Sequence, residues 1–96
     1  MPELSVLREA YTRFYDIRNH PTEKTEFENW TRLSDKNIAA WCERLQTQAK
    51  LVKSLIDDLK DHKSDRGYHE MRSYFFEDYW DLSAALAAKG HTLEIE

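Results

Sequence analysis

The 96-residue chain is short of the residues that interrupt regular structure, with two glycines and two prolines in all. Sheet proteins spend Gly, Pro and Asn on a turn about every 8–12 residues, so this scarcity excludes a small sandwich or barrel and favours long helices. Cysteine is reduced to Cys42, which rules out an internal disulfide and suits a reducing compartment. An excess of positive charge is also missing. Lys and Arg total 14 against 18 Asp and Glu, a net charge of −4. That balance disfavours nucleic-acid binding through a basic stripe, and it falls far short of the continuous acidity a duplex mimic needs. No run approaches the ~18 apolar residues of a membrane span. The opening MPELSVLREAY lacks the apolar core of an export signal. The expectation is a protein that stays in the cytoplasm where it is made.

What is present is 41% hydrophobic and 33% charged residues. A chain of this size buries roughly 60–65% of its unfolded surface, enough for one modest core without metal or disulfide staples. Residues 1–96 therefore read as a single all-α domain.

The first helix is predicted over 3–18, with Pro2 suited to its start. Leu4, Leu7, Tyr11, Phe14 and Arg18 recur at alternating spacings of three and four, and so form one stripe. Val6, Ala10 and Ile17 form a second stripe about 100° away. Pro21 restricts His20 and ends the helix. A short helix is expected over 23–32, with Thr25 and Glu28 spaced as a capping box. Ser34 then caps a restart, with Leu33 and Ile38 at the spacing of a hydrophobic staple.

The longest helix should run from 35 to 61 or 62, about 40 Å at 1.5 Å per residue. Ile38, Leu45, Val52 and Leu59 repeat every seventh residue, and Trp41, Cys42, Ala49, Leu55 and Ile56 widen the face. Such a heptad row asks for a lengthwise partner helix. Gln48 interrupts it, to fix register or to bind water. After a polar turn, a last helix is predicted over 68–89, stopped by a left-handed Gly90. Its core stripe is Tyr68, Met71, Phe75, Tyr79, Leu82 and Leu86. The two long helices make an antiparallel hairpin, with the N-terminal and short helices packed across it. Residues 91–96 alternate polar and apolar, and are expected to be a frayed tail or a strand added to a partner's sheet through Leu93 and Ile95.

No constellation for catalysis emerges. His69-Glu70-Met71-Arg72-Ser73 starts like a zinc-protease helix but has Ser73 where the second histidine belongs. His20, His62, His69 and His91 show no ligand spacing. Cys42 lies on a core face, with nothing adjacent to stabilise a thiolate. Asp57 and Asp58 sit on a solvated helix end, and two glycines cannot build a phosphate loop. Neither enzyme activity, a metal nor a cofactor is expected.

The informative surplus is aromatic. Residues 73–80, SYFFEDYW, carry five aromatics. Phe75 and Tyr79 belong to the core stripe. Phe76 and Trp80 project about 80–120° to one side of it and Tyr74 about 120° to the other. Phe76 and Trp80 either bury beneath the N-terminal helix or form, with Tyr74, an exposed partner-binding patch. The second stripe of the first helix, through Val6 and Ile17, is likewise either a packing face or a docking face. Glu77, Asp78 and Asp81 interleave with the aromatics, so the patch would suit a basic or mixed surface. A different reading is a homo-oligomeric scaffold or small adaptor zipped through the heptad row.

The Pro-led short helix, the segment ENWTRLSDKNIAAWCERLQTQAKLVKSLIDDLKDHK and the aromatic SYFFEDYW helix together resemble the Abc-type anti-RecBCD proteins of temperate enterobacterial phages. The resemblance covers most of the chain and carries no site residues across. It implies a phage protein made in the host cytoplasm that binds the RecC subunit of the RecBCD helicase–nuclease. There it would alter the processing of DNA ends, sparing phage DNA from the nuclease and promoting recombination.

Overall fold

A computed structural model describes residues 3–19 and 35–95. The short helix expected over 23–32, its capping box, the Ser34 cap and Leu33 of the staple fall outside the described residues. Three α-helices make up the described chain: α1 (Leu4–Asn19), α2 (Asp35–Asp58) and α3 (Arg66–Ala87). A single 3-10 turn, Lys60–His62, links α2 to α3. The all-α class read from the scarcity of Gly and Pro is the class observed.

Each helix buries the stripe its spacing defined. On α1, Leu7 and Phe14 are fully enclosed and Ala10 nearly so, while Leu4, Tyr11 and Ile17 pack against the core from its margin. On α2 the whole heptad row, Ile38, Leu45, Val52 and Leu59, is buried, together with Trp41, Cys42, Ala49, Leu55 and Ile56. On α3 the buried side chains are Tyr68, Phe75, Tyr79, Leu82 and Leu86, with Met71 at the edge. These form one continuous cluster. At about 1.5–3 kcal/mol for each large apolar side chain fully buried, this burial is the main force opposing the entropy of ordering the chain.

The arrangement follows from which residues meet. Val6 and Ala10 lie beside Gln48, Leu51 and Leu55, whereas Ile17 lies beside Trp41 and Arg44, so α1 runs antiparallel to α2. Gln48 Nε2 donates to the Ala10 carbonyl oxygen at 2.9 Å, so the residue that broke the apolar row sets the register of these two helices. Phe14 meets Phe75 edge-on with ring centroids 5.2 Å apart, and Arg18 reaches Asp78 further along, so α1 runs parallel to α3. The hairpin of α2 and α3 closes at Tyr68, whose hydroxyl donates to the Ile56 carbonyl at 3.4 Å. Helix α1 sits closest to α2, and the two long helices approach each other least of the three pairs.

Helix α3 starts two residues before its predicted position because Asp65 caps it, accepting from the Gly67 N–H at 2.8 Å. Its other end falls at Ala87, two residues before the predicted Lys89, and the chain then turns through Gly90, left-handed as predicted with φ +83°. There Gly90 N donates to Ala87 O at 3.0 Å and His91 N to Leu86 O at 2.9 Å, the paired bonds of a Schellman closure.

The tail is a correction. Instead of fraying, residues 91–95 fold back onto the bundle, with Leu93 only 5% exposed and Ile95 packed against the core. The left-handed Gly90 reverses the chain, and the polar–apolar alternation then turns Leu93 and Ile95 inward together. Tyr79 Oη donates to the Leu93 carbonyl at 2.9 Å, and Gln46 Oε1 accepts from the Glu94 N–H. An enclosed Leu93 is not available to augment another protein's sheet.

Candidate docking groove

The aromatic run divides three ways as α3 turns. Phe75 and Tyr79 enter the core, and Tyr74 projects into solvent on one flank at 49% exposure. Phe76 and Trp80 lie on the other flank, one helical turn apart, and each braces edge-on against its core neighbour. Phe76 meets Phe75 at 5.2 Å and Trp80 meets Tyr79 at 5.4 Å between ring centroids. Phe76 is half-buried. Trp80 is 63% exposed, the most open of the large apolar side chains described. The alternative in which α1 covers both is therefore corrected: α1 packs on the opposite flank, the one that carries Asp78. What Trp80 stands beside is the folded tail.

Trp80, Phe76, Leu93 and Ile95 line a hollow between α3, the tail and Lys53 of α2. Past Lys53 and Phe76 it continues into a second hollow lined by Ile56, Asp57, Lys60, Lys63, Tyr68 and Arg72. The result is a groove along the α2–α3 hairpin to which α1 contributes no residue. Its two ends differ chemically. One is apolar, with Glu94 at its edge. The other is cationic, with aromatic walls. Arg72 stacks its guanidinium over the Phe76 ring at 5.1 Å, and Lys53 is held by Asp57 at 2.9 Å. Among the described residues no carboxylate pairs with Lys60, Lys63 or Arg72.

This reverses the electrostatic expectation for the aromatic run. Of the acids that interleave with it, Asp78 is turned to α1 and neither Glu77 nor Asp81 lines the groove. The charges that do line it come mainly from α2 and the inter-helix turn. They are solvated lysines in any sequence-level view, and only the fold aligns them with Arg72.

The other two candidates lie elsewhere. Val6, 44% exposed, stands beside Leu51, 47% exposed, over a shallow depression between α1 and α2. Ile17 is half-buried near Trp41 and Arg44, three turns further along α1. The five residues predicted to meet a partner thus fall on four surfaces, and only Phe76 and Trp80 share one. Leu51 escaped the sequence reading because it flanks the heptad row without belonging to it.

Among the described residues, no cluster of three or more His, Cys, Asp or Glu side chains could hold a metal ion, and no helix is long and apolar enough to cross a membrane. Burial pushes the Cys42 thiol above its ordinary pKa, away from nucleophilic readiness. Fold and groove together define a small helical protein with a chemically divided groove along its long hairpin. No family model, curated protein or solved structure matches the chain.

Proposed function

We propose that this is a non-catalytic phage protein that acts by binding the host RecBCD helicase–nuclease, through its RecC subunit, in the host cytoplasm. It would modulate the processing of DNA ends, protecting phage DNA and promoting recombination. The observation that carries a protein-binding role is Trp80. A tryptophan held 63% exposed beside a packed tail is costly in water and useful in an interface, where truncating such a residue removes about 2 kcal/mol or more. The resemblance to the Abc-type anti-RecBCD proteins supplies the partner. The negative net charge favours docking on a protein subunit over contact with DNA itself.

A lengthwise homodimer through the heptad row is disfavoured, because Ile38, Leu45, Val52 and Leu59 are each at most 1% exposed within one copy.

The test is affinity capture with the tagged full chain and purified RecBCD, wild type against Trp80→Ala. Stoichiometric capture that weakens roughly tenfold or more in the variant supports the reading. Absence of RecBCD binding by the wild-type protein overturns it.

A further inference from the structure

We propose that the α2–α3 groove receives an amphipathic helix of the partner protein. That helix would carry carboxylates at one end and large apolar side chains about two turns away. The proposal rests on the protein-binding role above and adds the chemistry of the bound segment.

Three observations specify it. The first is shape: among the described residues, α1 fills one side of the long hairpin and the other side is a trough between two helices, the surface on which an amphipathic helix lies in helix-in-groove recognition. The second is charge. In a chain of net charge −4, Lys53, Lys60, Lys63 and Arg72 line one hollow together with a single carboxylate, Asp57; Asp57 pairs with Lys53, and among the described residues no carboxylate pairs with the other three. Tyr68 and Phe76 wall that hollow. A carboxylate entering it would gain charge-assisted hydrogen bonds. The third is spacing: Arg72 and Trp80 are eight residues apart on α3, about 12 Å at 1.5 Å per residue. An occupant running along α3 therefore meets cations first and the Phe76, Trp80 and Leu93 surface about two turns later.

Duplex DNA would need cations along the whole trough, whereas its apolar half carries Glu94.

The experiment uses the isotope-labelled full chain and three probes. One is an alanine-based helix of about 16 residues with two Glu in its first turn and Leu and Phe two turns on. The second is the same peptide with Lys for Glu, and the third is a short duplex DNA. Expected are shifts of the Arg72 amide and Trp80 indole signals with the acidic peptide, and binding roughly tenfold weaker for the Lys peptide. Lys60→Glu with Arg72→Glu should invert that preference while helical circular dichroism is unchanged; should that variant melt, Lys60→Glu with Lys63→Glu replaces it. Equal affinity for both peptides overturns the proposal. So do displacement of the acidic peptide by DNA, shifts confined to the Val6–Leu51 side, or a self-dimer that masks the groove signals. Loss of RecBCD capture with peptide binding intact would remove the RecBCD assignment alone, and the converse result would remove the groove alone.

Discussion

Arg18 Nη1 lies 2.9 Å from Asp78 Oδ1, across 60 residues of sequence, with side chains only 15% and 20% exposed. The Tyr11 hydroxyl donates to the other oxygen of the same carboxylate. Two donors, two turns apart on α1, therefore grip one acid on α3 and fix the rotation of the helices about each other. Arg18→Ala strands a partly buried carboxylate and should lower stability by about 2 kcal/mol in urea unfolding. Tyr11→Phe leaves the ion pair intact and should cost about 1 kcal/mol. Combining Arg18→Ala with Asp78→Ala should cost less than the sum of the single changes, because the two residues act as a unit.

The same contact makes stability sensitive to alkali. Burial, the hydrogen bond to Asp78 and the charge of Asp78 all raise the Tyr11 phenol well above its ordinary 10.0. The protonated phenol belongs to the folded state, so its contribution is complete below the unfolded value and is lost as pH rises past it. The urea midpoint should fall between about pH 9 and pH 11, and more steeply in the wild type than in Tyr11→Phe. Parallel curves for the two proteins would show that Tyr11 titrates as freely folded as unfolded.

The folded tail can be tested directly. Leu93→Ala removes an enclosed side chain and should cost about 2–3 kcal/mol, where a frayed terminus would show no change. Gly90→Ala places a Cβ in open space, so its cost is the backbone strain of φ +83° alone, about 1 kcal/mol. Both variants should also increase hydrogen exchange at Glu94, whose amide bonds to Gln46.

Cys42 offers a probe of the buried face of α2. The thiol is buried and burial raises its pKa, so a disulfide reagent at about pH 8 should label the native protein roughly a hundredfold more slowly than the urea-unfolded chain. Labelling at the unfolded rate under native conditions would mean that the Cys42 face opens freely.

The fold was legible because its signals are local and repeated. The rows through Leu7 and Phe14, through Ile38 to Leu59, and through Phe75 to Leu86 each chose a buried face by period alone, and Gly90 marked its own stop. Gln48 was recognisable as an interruption with a purpose, though only the structure supplies Ala10 as its partner. The candidate groove was half legible. An aromatic run exceeding one packing face can be counted in a sequence, and Trp80 was found that way. Which flank α1 would cover depended on Asp78 meeting Arg18 and Tyr11, a contact 60 or more residues distant with no periodic signature. The cationic end was invisible for a similar reason. Lys60 and Lys63 come from the inter-helix turn and Arg72 from α3, and nothing in their spacing separates them from ordinary solvated charges. The tail misled because alternation in a short polar terminus looks the same whether or not a core lies beneath it.

Phe76 and Trp80, paired in the sequence as one patch, should separate in experiment. Trp80 is mostly in water, so Trp80→Ala should change stability by less than about 0.5 kcal/mol while weakening partner binding. Phe76 packs against the core and supports Arg72 on its face, so Phe76→Ala should cost about 1–2 kcal/mol of stability in addition to binding. The double variant therefore confounds the two effects. Phe76→Leu is the sharper probe, since it keeps most of the apolar volume and removes the ring beneath the guanidinium. It should remain within about 1 kcal/mol of wild type yet weaken binding of an acidic helix as Arg72 loses its platform. If Phe76→Leu binds as tightly as wild type while Trp80→Ala does not, recognition is confined to the apolar end and the cations are solvated bystanders.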